Sequence, residues 1–328
     1  MIDLHLHFDG SLLPRTVLEL ADEQGIELPA REPDELKLFL TAPADCESLN
    51  EYLEKFDLPL LVLQTKEAIR KGMYTLVSSL KEQGMLYAEI RFAPQLHTKK
   101  ELTQEQVVKA AILGLQEALA GSFFKAKLIL CCMRGTDNLE ENLLTVRTAA
   151  AYLGRGVAAV DLAGAEALYP TEDYEKIFAL ARELSVPFTI HAGEADGAES
   201  VWAALRMGAC RIGHGVRAGE DPELLDELRA RRIPLELCPS SNVQTKAVPS
   251  LSEHPVLDFL RQGLLVTVNT DNMTVSDTTI DREFRLLQEE LGMTPEEQKI
   301  LLLNAADAAF LTEEERWRLK DVIQKVYP

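Results

Sequence analysis

Short apolar, β-rich runs recur along the chain, most of them closing on a polar residue or glycine and leading into a segment of helical periodicity. They are IDLHLHFDG at the start, LYAEIRFAP from Leu86, AKLILCCM from Ala126 and VAAVDLAGAE from Val157. VPFTIHAGE from Val186, RIGHG from Arg211, IPLELCPSSN from Ile233 and LLVTVNTDN from Leu264 complete the series. Eight strands alternating with helices predict an α/β fold, a (β/α)8 TIM-type barrel, rather than an open doubly wound sheet. Helix starts are marked between them. Ser48 to Glu51 and Thr103 to Gln106 fit capping boxes, while Asp221-Pro222 and Thr294-Pro295 fit an N-cap followed by proline at the first helical position.

One connection is out of proportion. Roughly 75 residues, from Ser11 to Met85, separate the first two strands, where a single crossover helix would need far fewer. The stretch carries several amphipathic segments, SLNEYLEKFDLPLL among them, and begins beside the first strand's polar end. The expected organisation is one barrel domain over 1–328, with a helical insertion at 11–85. Part of that insertion is placed over the barrel mouth as a lid, and packing on the barrel flank is the plainer alternative.

The 328 residues are 46% hydrophobic, enough for one large core. A net charge of −19 argues against a nucleic-acid or anionic-membrane partner, since both call for basic patches. No charged-then-apolar leader opens the sequence and no apolar run reaches membrane-spanning length, so the expectation is a soluble, cytoplasmic protein. The five cysteines are odd in number and form no CxxC pair, which suits buried thiols better than a disulfide framework or thiolate metal knuckle. No GxGxxG or GxxxxGKS/T follows a strand, which removes the usual phosphate-cradling loops.

The candidate chemistry gathers at strand ends, the face of a barrel where active sites sit. His5 and His7 lie two apart on the first strand and so share a face. The fifth strand ends in TIHAGE, with His191 and Glu194; the sixth ends in His214 between Gly213 and Gly215; the eighth ends in Asp271 of VNTDN. Three histidines and an aspartate suit a divalent transition metal, zinc first, with an open position for water. Glu194 is then a candidate proton shuttle, and His214 a group that orients or deprotonates the water, work that Asp271 can share while ligating. Taken singly each residue has a plainer reading: a hydrogen-bonded core histidine, a helix N-terminal carboxylate for Glu194, a helix N-cap for Asp271. Their joint placement is what argues for a site. His97 in PQLHTKK and His254 in SEHPVL are read as solvated or structural.

Over nearly its whole length the chain resembles the adenosine deaminase family of metal-dependent hydrolases. LHLHFDGSL matches the family's opening HxHxDG element, and AEIRFAP, DLAGAE, TIHAGE, RIGHG, LCPSSN with HPVLDFL, and NTDN follow in the family's order. The resemblance implies one zinc per subunit held by His5, His7, His191 and Asp271. It implies Glu194 as the acid that protonates a purine ring nitrogen, and His214 as the group that positions the attacking water and stabilises charge. His7, Asp9, Gly164 and Asn272 would face the substrate, with Gly164 meeting the purine through its backbone and Asp9 a sugar hydroxyl. The implied reaction is hydrolytic deamination of adenosine and 2′-deoxyadenosine to inosine and 2′-deoxyinosine plus ammonia, in purine salvage.

The sequence departs from the family's best-known pattern after Asp271, where a second aspartate gives way to Asn272, an amide that donates without first being protonated. The departure keeps open a deaminase of another 6-aminopurine, adenine or a modified adenosine nucleoside. The cytosine and nucleic-acid deaminases use HxE with PCxxC, and no PCxxC occurs here. Two-metal hydrolases built on a carbamylated lysine of the fourth strand find no lysine in VAAVDLAGAE.

Overall fold

In the computed structural model, which describes residues 1–43 and 45–327, all eight expected runs contain strands. They are β1 (Ile2–His7), β2 (Tyr87–Phe92), β3 (Lys125–Met133), β4 (Val157–Ala163), β5 (Thr189–Ala192), β6 (Arg211–His214), β7 (Leu235–Leu237) and β8 (Val266–Val268). β1 to β4 pair in order as one parallel sheet and β5 to β8 as another. Single bridges join the two, Val160 to Phe188 between β4 and β5, and Leu6 to Asp271 where the end of β8 returns to β1. The second seam is held by His7 N–H to the Asp271 carbonyl (2.7 Å) and Asp271 N–H to the His5 carbonyl (2.8 Å). The ring closes as a (β/α)8 barrel.

Alternation sorts the strand residues. In β1, Ile2, Leu4 and Leu6 join the apolar layer under the helices, while Asp3, His5 and His7 take the opposite face. In β2 the inward positions are Glu89 and Arg91, both fully buried. Arg91 reaches Asp161 of β4 (2.9 Å) and Glu236 of β7 (2.7 Å), and Arg211 of β6 reaches Glu236 and Glu89 (2.6 Å each). The barrel interior is thus an ionic layer rather than an apolar plug.

The long connection resolves into helices Pro14–Gln24, Pro33–Leu40, Leu49–Leu53, Asp57–Val62 and Lys66–Glu82. The last is the barrel's own crossover helix, and it crosses helix Gln104–Leu119 at Gly114, where an added Cβ would fall 2.2 Å from the Arg70 carbonyl oxygen. The excess is therefore the stretch before Lys66. Thr103–Gln106 forms its full capping box, but Ser48 caps one way only, because the Glu51 carboxylate takes the Glu47 N–H instead. Asp221 and Thr294 cap as expected, Thr294 within a full box closed by Glu297. The cysteines are unpaired, and Cys210 alone is exposed. Among the described residues no helix is long and apolar enough to cross a membrane.

Helix Ile280–Leu291 carries a buried carboxyl, Glu283, that accepts from Ser240 N–H and the Thr278 hydroxyl beneath the loop after β7. Burial pushes its pKa from 4.5 up to about 7 despite those hydrogen bonds. A folded-state pKa above the unfolded value means the protonated carboxyl's contribution is complete below about 4.5 and lost as pH rises through about 7. Glu283→Gln, which cannot ionise, is therefore expected to match wild type in urea unfolding near pH 5 and to be the more stable near pH 8. Equal stability of the two proteins at both pH values would show that Glu283 does not titrate in this range.

Candidate metal centre and active site

His5, His7, His191 and Asp271 converge at the C-terminal mouth of the barrel. His191 Nε2 lies 3.0 Å from His5 Nε2 and 3.2 Å from His7 Nε2, and Asp271 Oδ1 lies 3.4 Å from both His5 Nε2 and His7 Nε2. Four donors at bond lengths of about 2.0–2.1 Å around a tetrahedral ion stand roughly 3.3 Å apart, so the spacing fits zinc. His214 is close by, and its ring joins His5, His191 and Asp271 in a buried set whose donor atoms lie within 4.8 Å of one another. The geometry thus offers five donors where four suffice.

Hydrogen bonds tell the histidines apart. His5 Nδ1 lies 2.8 Å from Glu236, and His191 Nδ1 lies 2.9 Å from Asp161, close enough for ion pairing though off the line of a good hydrogen bond. Ionised carboxylates only accept, so each Nδ1 carries the hydrogen and each Nε2 presents its lone pair to the centre. Burial opposes charge on Glu236, but Arg91 and Arg211 beside it hold its carboxyl well below the usual range. His214 is arranged the other way, with Nδ1 3.0 Å from the Asn242 amide nitrogen.

Glu194 is 4% exposed and its Oε1 has no hydrogen-bond partner among the described residues. Burial, then the nearby Asp271 and Glu166 charges, push its pKa well above the carboxylate norm, which favours the protonated form. Its Oε2 lies 3.5 Å from His214 Nε2. The loop bearing it is pinned by Glu166 of DLAGAE, whose carboxylate accepts from the N–H groups of Gly193 (2.7 Å), Glu194 (3.0 Å), Ala195 (2.7 Å) and Asp196 (3.1 Å). Asp271 Oδ2 accepts from the Ser241 hydroxyl (2.6 Å).

A cavity opens over these groups. His7, Asp9, Gly164, His191, Glu194, His214, Asp271 and Asn272 all line it, whereas His5 sits behind His191 and His214. The stretch before the crossover helix supplies Leu49, Leu53, Phe56 and Leu60, and also Tyr52, whose hydroxyl meets Ser276 (2.7 Å) in the loop after β8. Neither His97 nor His254 is solvated: His97 Nδ1 meets the Leu63 carbonyl, and His254 is buried against Asn242. Both are structural, the second of the two readings the sequence left open, whereas Tyr52, Glu166 and Asn242 were not singled out from the sequence. Only Glu166 and Asn242 had a signal there, as polar residues inside the strand-end motifs DLAGAE and LCPSSN.

A parallel barrel with a buried histidine–carboxylate cluster at its C-terminal mouth defines a metal-dependent hydrolase of the amidohydrolase type. The family model described as adenosine deaminase matches residues 1–326. The chain is 51% identical over 332 residues to an adenosine deaminase of Haemophilus ducreyi, covering 100% of this chain and 96% of that protein. Among solved structures, adenine deaminase from Arthrobacter aurescens superposes with a TM-score of 0.91 at 28% identity, covering 99% of this chain and 98% of that one. A Burkholderia ambifaria amidohydrolase with bound zinc superposes at 0.89 and 20% identity over 99% of this chain and 90% of that one, which shows the fold. The chain belongs to the adenosine deaminase family, whose members are zinc-dependent hydrolases.

Because Asp161 orients His191 through Nδ1, Asp161→Asn is expected to weaken zinc binding roughly 10–100-fold. Competition with a chromophoric chelator reads this directly, and an unchanged zinc affinity would take Asp161 out of the centre.

Proposed function

We propose that this chain hydrolyses adenosine and 2′-deoxyadenosine to inosine and 2′-deoxyinosine with release of ammonia, serving purine salvage. The observation that carries the reading is Glu194, a buried carboxyl with an unpartnered oxygen and a raised pKa, in one cavity with the histidine–aspartate cluster. One zinc per subunit would be held by Nε2 of His5, His7 and His191 and by Oδ1 of Asp271. When bound it makes water acidic enough to attack near neutral pH.

The chain's own residues do the rest. Glu194 donates its proton to the purine ring nitrogen beside the attacked carbon, which removes aromatic stabilisation there and lets a weak nucleophile add. His214 Nε2, close to Glu194, holds the attacking oxygen and stabilises the charge that develops on it. Asn272 turns Oδ1 against Gly10, where an added Cβ would fall 1.8 Å from it, and offers its amide N–H groups to a nitrogen of the five-membered ring. Gly164 presents its backbone to the purine from a φ of +110°, which side-chain-bearing residues rarely adopt. Asp9 accepts a sugar hydroxyl, which favours a nucleoside over adenine. His7, 12% exposed, serves metal and substrate side at once.

No lysine or arginine lines the cavity among the described residues, and Asp9 and Asp57 do, so a 5′-phosphate would meet carboxylates instead of a counter-charge. The stretch from Leu49 to Val62 acts as the lid of a single-domain barrel, supported by its apolar side chains over the cavity and by Tyr52 tying it to the loop after β8. A cytoplasmic setting fits five unpaired thiols, and the acidic surface suits neither nucleic acid nor membrane.

Ammonia release by the zinc-loaded protein is expected from adenosine and deoxyadenosine, and to be weak or absent from adenine and AMP. Adenine as the preferred substrate would move the assignment to the base. Glu194→Gln is expected to keep its zinc and lose at least ~100-fold in kcat. Near-normal turnover in that variant would remove Glu194 from the reaction.

A further inference from the structure

Three buried side chains behind the site form a chain of hydrogen bonds that the deamination chemistry leaves unassigned. Val256 N–H points at His254 Nδ1 (3.3 Å), His254 Nε2 lies 3.2 Å from Asn242 Oδ1, and Asn242 Nδ2 lies 3.0 Å from His214 Nδ1. A backbone N–H can only donate, so His254 Nδ1 is an acceptor and its ring hydrogen sits on Nε2. That hydrogen meets Asn242 Oδ1, which also accepts from Cys238 N–H (3.2 Å). Two donors on Oδ1, one of them main chain, fix which way the amide faces. Its NH₂ group must then donate to His214 Nδ1.

We propose that Asn242 and His254 are positioning residues that lock His214 in the neutral Nε2–H tautomer. The consequence is twofold and rests on the deaminase reading. A neutral imidazole has one lone pair, and His214 spends it on Asn242, so Nε2 has none left for a metal. This selects His7 over His214 as the fourth donor. It also makes His214 a hydrogen-bond donor to the reacting oxygen, since Nε2 already carries a hydrogen and cannot take one from water.

The direct test is a two-bond ¹H–¹⁵N spectrum of zinc-loaded protein labelled at histidine, with the two residues assigned from His214→Asn and His254→Phe samples. Pyridine-type Nδ1 and pyrrole-type Nε2 shifts for both residues are expected near neutral pH. A hydrogen on His214 Nδ1 would overturn the proposal, without bearing on whether ammonia is released. Asn242→Asp replaces the amide donor by an acceptor. It is expected to move the His214 hydrogen to Nδ1 and to lower kcat at least ~100-fold, with KM within about threefold and zinc retained, as befits a histidine in the wrong tautomer. His254→Phe frees the amide to turn and is expected to mix the His214 tautomers, whereas His254→Gln keeps a donor and restores the wild-type pattern. An unchanged His214 spectrum in both Asn242→Asp and His254→Phe would overturn the relay.

Discussion

Everything at the mouth of this barrel stands on the buried ion network of Arg91, Arg211, Glu89, Asp161 and Glu236. Moving each charge out of water costs several kcal/mol, and only mutual pairing and further hydrogen bonds offset it. The pairing is dense: Arg91 joins β2 to β4 and β7 and donates to the Leu4 carbonyl of β1 (2.7 Å), and Arg211 joins β6 to β7 and β2. Five of the eight strands are thus cross-linked through the interior, or six with His191 of β5 on Asp161. The two arginines leave one carboxylate charge over, and Asp271 adds another. The layer is thus net negative, which favours a divalent cation at the centre, so folding and metal binding draw on one electrostatic arrangement.

The same network decides what the histidines can do. Carboxylates kept ionised by arginines are obligate acceptors, which turns the Nε2 lone pairs of His5 and His191 toward the centre. His214 faces an amide rather than a carboxylate and takes the reverse tautomer. Two imidazole types a few ångströms apart thus acquire different chemistry from the acceptor or donor behind them. Proximity alone, which groups His214 with the ligating side chains, does not make that distinction.

Much of this was legible in the sequence, and the parts that were not have physical reasons. The eight strands were found because each combines β-rich apolar content with a polar end, even where β7 and β8 are three residues long. The candidate site residues, which the structure brings together at one cavity, were singled out because barrel chemistry collects at those ends. The ionic layer was missed although its signal is plain in hindsight. Polar residues at alternate positions, Glu89 and Arg91 in YAEIRF or Asp3, His5 and His7 in IDLHLH, would face water in an open antiparallel sheet. In a barrel whose outer face is covered by helices they can only point inward. His254 was read as solvated or structural, but its link to His214 was out of reach because Asn242, which joins them, is placed by tertiary packing of the loop after β7. Tyr52 was missed because its partner, Ser276, lies 224 positions away.

The candidate catalytic groups and the apolar wall of the cavity lie on different parts of the fold. The reactive groups sit on strand ends, where His214 and Asp271 both take left-handed backbone (φ 60° each) that non-glycine residues adopt at some cost. Gly213 lets β6 approach so closely that a Cβ there would meet His5 Cε1 at 3.2 Å. Such positions tolerate little movement, which suits donors whose spacing sets metal geometry. The cavity's apolar wall comes instead from the helices before Lys66. They are joined to the barrel by Tyr52 on Ser276, Ala42 N–H on the Val275 carbonyl (2.8 Å) and the Thr41 hydroxyl on the Thr274 carbonyl (3.2 Å). All three ties end on the loop that follows Asp271 and Asn272. The apolar wall is therefore fastened to the segment that carries Asn272, while the strand-end donors are held by the barrel itself. Wall and strand ends thus rest on different contacts, as expected of a barrel whose loops vary while its strand ends hold the chemistry.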